Sequence, residues 1–306
     1  MCQFSIIIPT YNVDEYIGDC ITSILKQTFD DFEIVIVDDC SSDNTVEVIN
    51  RLSDSRVKLL KNEVNKGPSY SRNKAIKHSN GKYIVIVDSD DLILEDRLEI
   101  MNTYIREEDP DILFDNFYYF IDGDGHCYAN GYEQKGISKK SLRSIDVKQF
   151  IEYDLGIFKG VMKREFITKN GILYNENCRL AEDFLFYLEY FANEGKVLFI
   201  PETLYLYRQR KNSLITTLNK EYYVELIKVT EYAIREVEKQ TINSNIRSLL
   251  EARMKKQHSA YNYYLFKDNL KNKKFKDALA LIFKDYNILA KISKDGVKKV
   301  KSKLIS

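Results

Sequence analysis

Residues Gly81–Asp91 read GKYIVIVDSDD. A turn glycine opens the stretch, Tyr83–Val87 run apolar without alternation, and Asp88, Asp90 and Asp91 close it. A short β-branched run of this kind reads as a strand buried on both faces, as in parallel sheets. Carboxylates at the tip of such a strand repel one another and are costly to bury. A divalent cation with oxygen ligands is the usual compensation. The other reading is a solvated acidic turn that caps the next helix.

Upstream, the same grammar repeats. Phe4–Ile8 is a buried strand that ends at Pro9-Thr10-Tyr11-Asn12. Helical spacing follows through Ile17, Cys20, Ile21 and Ile24, with Asn12 or Asp14 as the expected N-cap. Ile34–Val37 is a second strand and ends in Asp38-Asp39. Ser41-Ser42-Asp43 opens a helix through Val46, Ile49 and Leu52, and Arg56–Leu60 is a third strand. A turn at Asn65–Pro68 precedes a helix with Ser71, Arg72, Ala75 and Ile76. This β-α-β-α-β-α-β order predicts an α/β fold, a Rossmann-like, mostly parallel sheet with flanking helices. Ligands of such sheets bind beyond the carboxyl ends of the strands. Three of those ends carry polar groups here: Thr10 and Tyr11, Asp38 and Asp39, and Asp88 and Asp90.

Downstream, a helix is expected through Leu98, Met101 and Ile105, then a strand over Asp111–Phe120. Asp122–Gly125 reads as a hairpin turn, with His126–Tyr132 returning antiparallel. Gly131–Ser144 reads as a polar loop, and Glu152–Gly160 as an irregular segment before Met162–Ile167. Glu182-Asp183 precedes the apolar helical face of Phe184, Leu185, Leu188 and Phe191. Acids in a first helical turn are favoured by the helix dipole, which is an ordinary explanation for this pair. Lys196–Ile200 and Leu204–Tyr207 read as two strands, followed by a cluster of Arg208, Arg210 and Lys211 with Asn212 and Ser213. From Lys220 onward the chain reads as helices.

The whole chain has 306 residues and a formal net charge of zero. The balance is uneven: Glu251–Ser306 hold 15 Lys/Arg against 5 Asp/Glu, a net of +10, which leaves −10 on the first 250 residues. Such asymmetry suggests an acidic partner for the tail. The five cysteines are odd in number and lack CxxC spacing, and Phe4–Pro9 is too short for a secretory leader, so a reducing cytosol is expected. No apolar run approaches the ~20 residues of a membrane span.

The stretches SIIIPTYN, VIVDDCSSD, NKGPSYSRN, GKYIVIVDSDD and AEDFLFYLEY, in this order and spacing, resemble the family-two inverting glycosyltransferases of the GT-A fold. The resemblance covers residues 4–213. It implies a GT-A domain over residues 1–215, with nucleotide-sugar binding in 1–110 and the acceptor and catalytic part in 111–215, followed by a helical, basic region over 216–306. It implies an enzyme that moves a sugar from a nucleotide-sugar, most often a UDP-sugar, to a hydroxyl of a glycan or lipid-linked acceptor in surface-polysaccharide synthesis. Pro9, Thr10 and Tyr11 would line the nucleotide pocket. Asp39, with Asp38 beside it, would accept from the base N–H. Arg72 would stand near base and phosphates. Asp88 and Asp90, flanking Ser89, would hold Mn²⁺ or Mg²⁺ at the diphosphate, Asp88 also reaching the ribose. Asp183 would be the catalytic base with Glu182 as its neighbour, and Arg208 and Arg210 would reach the diphosphate. The family often carries tryptophan and lysine around Phe158 and Gly160, yet this chain has no tryptophan. Some members place a metal-binding histidine where arginines stand here.

Two other classes fit parts of the pattern. A sugar-phosphate nucleotidyltransferase also uses a metal on a nucleotide-binding sheet, but usually has a glycine- and arginine-rich first loop, and Pro9–Val13 has no glycine. A non-catalytic sugar-nucleotide binding module would not need its carboxylates intact. The tail reads either as solvated helices or as a dock for anionic lipid, with Phe266, Phe275, Leu279, Ile282, Phe283 and Leu289 beside Lys271, Lys273, Lys274, Lys276 and Lys284. No nucleic-acid motif accompanies its charge. The expected location is cytoplasmic, and on the lipid-dock reading of the tail peripheral at the inner face of the cytoplasmic membrane.

Overall fold

The four apolar runs at the front of the chain pair side by side. In this computed structural model, which describes residues 2–121, 127–138, 142, 145–178, 180–210, 219–239 and 244–293, they are β1 (Phe4–Thr10), β2 (Phe32–Asp38), β3 (Val57–Lys61) and β4 (Tyr83–Ile86). β1 lies between β2 and β4, with β3 outside β2, and all are parallel. Ile6–Ile8, Ile34–Val37 and Ile84–Val87 are wholly buried, as their lack of alternation requires. The connecting helices are α1 (Ile17–Leu25), α2 (Thr45–Arg51) and α3 (Pro68–Lys77). Pro68 sits in the first turn of α3 after Gly67 at φ +88°, a value that favours glycine.

α1 starts later than the sequence suggests, with Tyr16 at its N-cap position. Asn12 and Asp14 are occupied elsewhere. Asn12 Oδ1 accepts from Ser42 N at 2.8 Å and Asp14 Oδ2 from Asn44 N at 3.3 Å, so these side chains tie the β1 end to the β2 end.

Beyond β4 the sheet continues and reverses direction. The further elements of this unit are β5 (Leu92–Ile93), α4 (Arg97–Glu108), β6 (Ile112–Ile121), β7 (Cys127–Asn130), α5 (Gly131–Gln134), α6 (Val147–Tyr153), β8 (Gly160–Lys163), α7 (Arg164–Asn170), α8 (Glu182–Ala192) and β9 (Val197–Gln209), with a 3-10 turn at Leu155–Ile157. The strand order is β3-β2-β1-β4-β8-β6-β9-β5, with β7 paired to β6. β8 runs antiparallel to both β4 and β6, and β9 runs parallel to β6.

Several expectations change here. Lys196–Ile200 and Leu204–Tyr207 belong to the single strand β9. Its register on β6 jumps from Phe114–Phe199 to Asn116–Thr203, and the surplus residues, Pro201 among them, leave the ladder. Leu92–Ile93, expected to lead straight into a helix, instead pairs with Leu206 and Tyr205 of β9. The expected loop after Gly131 opens as helix α5, because the Asn130 side chain accepts from Tyr132 N and Glu133 N. β7 returns antiparallel on β6, as read. The turn at Asp122–Gly125 and the cluster Lys211–Ser213 lie outside the described residues.

The chain divides into two compact units, Met1–Ser213 and Leu214–Ser306. The second contains α9 (Lys220–Lys239), α10 (Ser244–Lys271) and α11 (Phe275–Lys284). All five cysteines are free thiols. Among the described residues, no helix is long and apolar enough to cross a membrane.

Candidate active site

The carboxyl ends of β1, β2 and β4 point to one edge of the sheet. Pro9 and Thr10 end β1 opposite Val37 and Asp38 of β2. Asp39 follows, buried, and ties down the turn before α3: its carboxylate accepts from Asn62 Nδ2 at 2.7 Å, Lys66 N at 2.9 Å and Gly67 N at 2.7 Å. Asp38 Oδ2 accepts from Ser41 N at 3.2 Å. Tyr11 is exposed, and Ser89, between Asp88 and Asp90 in sequence, is buried.

The centre of the site is a network of charges drawn from four parts of the chain. Arg72 of α3 donates to Asp88 Oδ1 at 2.9 Å and to Glu182 Oε1 at 2.6 Å, and its guanidinium lies over the Tyr174 ring. Lys159, just before β8, reaches Asp88 Oδ2 at 2.8 Å and Asp183 Oδ2 at 2.7 Å. Both cations are buried, Arg72 at 4% exposure and Lys159 at 6%. Burial opposes the charge on Asp88, yet Lys159 and Arg72 outweigh it and hold the carboxyl well below its ordinary range. Burial likewise opposes the charge on Lys159, but Asp183 and Asp88 raise it well above the ordinary lysine range. Asp183 sits in the first turn of α8, where Oδ2 accepts from Lys159 and Oδ1 has no hydrogen-bond partner among the described residues. Its carboxylate is turned into the network, with Arg72 3.8 Å from Oδ1.

The other two acids of the strand end have separate partners. Asp90 Oδ2 pairs with Arg210 at 2.5 Å. Burial pushes the Asp90 carboxyl up, Arg210 pulls it back, and the charge on Asp88 adds to the push. Asp91 accepts from Tyr205 Oη at 2.6 Å and from Arg208 N at 2.8 Å, so it fastens β9 to the end of β4. Arg208 Nε donates to the Asp90 carbonyl at 2.5 Å, and the Arg208 and Arg210 guanidinium groups both lie over the Tyr16 ring. Side-chain cations thus compensate part of the carboxylate charge at this strand end. Among the described residues, no three His, Cys, Asp or Glu side chains gather to hold an ion.

Several buried atoms in this edge have no hydrogen-bond partner among the described residues: Thr10 Oγ1, Asp38 Oδ1, Asp183 Oδ1 and Arg210 Nε. Buried polar atoms are nearly always paired, so a cluster of unpaired ones at strand ends marks a place for a ligand.

Comparison with known proteins agrees with this geometry. Residues 5–164 match the sequence model of Glycosyl transferase family 2. The chain belongs to this family. It is 31% identical over 221 residues to "Glycosyltransferase GlyG" of Streptococcus pneumoniae, covering 70% of this chain and 73% of that protein. It is 28% identical over 220 residues to "Poly(ribitol-phosphate) beta-N-acetylglucosaminyltransferase TarS" of Staphylococcus aureus, 69% of this chain and 36% of TarS. The solved structure of TarS residues 1–349 with UDP-GlcNAc superposes with a TM-score of 0.67 at 23% identity, covering 92% of this chain and 79% of that one. A Pyrobaculum calidifontis mannosyltransferase, solved with GDP-Man and Mn²⁺, superposes with a TM-score of 0.63 at 16% identity, covering 98% and 81%. These superpositions show that the fold is GT-A.

Within this family-two glycosyltransferase, every site residue expected from sequence lies at the described edge, but three supports were missed. Lys159 is the first. The tryptophan is absent, and Phe158 instead stacks on Tyr132 at 5.2 Å. The signal for Lys159 was a single charge inside the apolar run Leu155–Met162, the mark of a buried, paired lysine. The second is the buried pair Arg97–Asp115, both contacts at 2.9 Å, with Arg97 also donating to the Lys159 carbonyl at 3.0 Å. The third is Tyr205, whose hydroxyl accepts from Asp88 N at 3.1 Å while donating to Asp91. Neither has a local sequence signal, since their partners are distant in the chain.

Proposed function

We propose that this family-two glycosyltransferase moves a sugar from a UDP-sugar to a hydroxyl of a glycan or lipid-linked acceptor, with inversion at the anomeric carbon and with help from a divalent cation. The observation that carries this reading is the Asp88–Arg72–Lys159–Asp183 network at the strand ends, ringed by unpaired Thr10, Asp38, Asp183 and Arg210 atoms. The UDP-GlcNAc bound in the TarS structure supports the donor class, and an Escherichia coli relative named as a UDP-Glc:alpha-D-GlcNAc-diphosphoundecaprenol beta-1,3-glucosyltransferase supports both donor and acceptor classes. Synthesis of surface polysaccharide on the cytoplasmic side of a membrane follows as the cellular setting.

The proposed roles follow the chemistry of each group. Pro9, Thr10 and Tyr11 line the base pocket with Asp38. A carboxylate offers about four acceptor sites; three on Asp39 are taken by Asn62, Lys66 and Gly67, which leaves room for one base N–H. Arg72, Arg208 and Arg210 are the cations available to the diphosphate. A hard divalent ion binds through one or two carboxylates plus substrate phosphates, so no protein cage is needed. Asp90 fits that part: one Arg210 contact and a carboxyl pushed up by burial favour added positive charge. Asp88 and Ser89 stand next to it. When bound, the ion supplies Lewis-acid neutralisation of the leaving diphosphate.

Asp183 is the proposed general base. Lys159 occupies its Oδ2 and leaves Oδ1 without a hydrogen bond among the described residues. The acceptor oxygen attacks the anomeric carbon, the bond to the β-phosphate oxygen breaks with its electron pair going to phosphate, and the hydroxyl proton passes to Asp183. Glu182, paired with Arg72, keeps that arginine in place.

The test is a screen of sugar nucleotides for transfer or hydrolysis, with Mn²⁺ and with chelator, the product anomer being assigned by NMR. Turnover of a UDP-sugar with inversion is expected. Pyrophosphate release from a nucleoside triphosphate and a sugar phosphate would replace this reading with nucleotidyl transfer. Binding without turnover would reduce the protein to a binding module.

A further inference from the structure

We propose that α11 and the helical residues 287–293 after it form an interfacial anchor that inserts into an anionic lipid bilayer. The inference stands on the second unit alone and is independent of the transfer reading.

α11 has two apolar faces where a surface helix normally has one. Ala278, Leu281 and Ile282 face α10 and, with Ile288, pack on Tyr263 and Phe266. Phe275, Leu279 and Phe283, spaced by four, fall on an adjoining arc of the helix. They are exposed at 65%, 55% and 83%, and Tyr286 and Leu289 extend the patch at 79% and 54%. A run of large apolar side chains this open is a contact surface awaiting a partner.

Charge says which partner. Lys271, Lys273, Lys274 and Lys276 crowd the start of α11, and Lys284 stands at its end, all exposed. Of the segment's two acids, Asp277 is exposed beside Lys276 in sequence, and Asp285 is buried and turned inward, accepting from Asn287 Nδ2 at 2.9 Å and Asn262 Nδ2 at 3.4 Å. The outward face is therefore apolar with a lysine collar, the pattern that lies in the headgroup layer of anionic bilayers. A tyrosine at the edge of such a face suits the same depth. Self-association through this face would bring two lysine collars together, which like-charge repulsion opposes.

The experiment uses the full chain with vesicles of phosphatidylcholine, with and without phosphatidylglycerol. The chain should co-sediment with the phosphatidylglycerol vesicles, bind the neutral ones far less, and be released by high salt. Leu279→Ser/Phe283→Ser should cut partitioning at least ~10-fold, and Lys273→Gln/Lys274→Gln/Lys276→Gln about 100-fold. Both variants should keep the wild-type circular dichroism spectrum and thermal transition, since all five residues are exposed. The chain has no tryptophan, so Phe283→Trp reports on one site, and its emission should shift to the blue on anionic vesicles only. Equal binding to both vesicle types, or variants that bind like wild type, would overturn the proposal. So would a wild-type dimer that Leu279→Ser/Phe283→Ser converts to monomer in sedimentation equilibrium, because the face would then belong to a second copy.

Discussion

Lys159 sets the state of the site. It stands between Asp88 and Asp183 with both contacts under 3 Å, and it joins the strand that would face the donor to the helix that carries the proposed base. Removing one member of a buried charge network leaves an uncompensated charge, typically at a cost of about 3–5 kcal/mol. Lys159→Met should therefore lower the melting temperature by several degrees and the rate of transfer by at least ~100-fold. The pH dependence has a definite sign. The Asp88 carboxyl is depressed in the folded chain, so its contribution is present above its ordinary value of 3.8 and lost as pH falls through the lower folded value. Part of that depression comes from Lys159, so the stability gap between wild type and Lys159→Met should narrow as pH falls below 3.8 in chemical denaturation. Asp183 makes a different prediction. A first-turn acid acting only on the helix dipole is worth about 0.3–1 kcal/mol, whereas loss of a general base costs ~10²–10⁴ in rate. Asp183→Asn should bind UDP normally and transfer at least ~100-fold more slowly. Near-normal turnover would return Asp183 to a structural role.

At the scale of elements, one contact positions both ends of the Lys159–Asp183 pair. The 3-10 turn at Leu155–Ile157 packs directly on the start of α8: a Cβ on Gly156 would lie 2.7 Å from Phe184 Cβ and 2.8 Å from its Cα. Backbone cannot give way as a flexible side chain can. Gly156→Ala should push the turn off α8, lengthen the Lys159–Asp183 contact and cost about 1–3 kcal/mol, with a rate loss of at least ~10-fold from misplacement. A variant with unchanged rate and stability would show that this packing does not set the site. Such contacts also explain what the sequence could and could not tell. The β1–β4 half was readable because each strand there is a local apolar run separated by helical periodicity. Asp38, Asp39, Asp88 and Asp90 were findable because they end those runs. β8 inserts between β4 and β6 by long-range antiparallel pairing, and β5 is two residues long, so neither announces itself. Asp91 was legible as a carboxylate near a metal motif, but its actual partners, Tyr205 and Arg208, lie more than a hundred residues away. Asn12 and Asp14 looked like caps because their residue types suit capping, and their side chains were instead used across a loop.

At the scale of the whole molecule, charge is divided. The first 250 residues carry a net of −10 and the rest +10. A nucleoside diphosphate therefore approaches a sheet whose surroundings are acidic overall, and long-range attraction does not bring it in. On the proposed reading its binding comes from cations held at the site itself: Arg72, Lys159, Arg208, Arg210 and a divalent ion on Asp90. All four side chains have prior obligations, since Arg72, Lys159, Arg208 and Arg210 already stand against carboxylates. The ion is then the one cation added with the donor, and its contribution should be read out in global stability. A ligand present at 100 times its Kd stabilises by about 2.7 kcal/mol, which for a domain of this size is on the order of 5–10 °C in Tm. UDP with Mn²⁺ should produce a shift of that order, and UDP with EDTA a much smaller one. Asp90→Ala should lose the metal-dependent increment and keep the small metal-free shift, because the arginines remain. Lys273→Gln/Lys274→Gln/Lys276→Gln in the basic unit should leave the UDP–Mn²⁺ shift as in wild type. A UDP shift that is the same with Mn²⁺ and with EDTA would mean that the protein's own cations suffice and that Asp90 has no metal to hold.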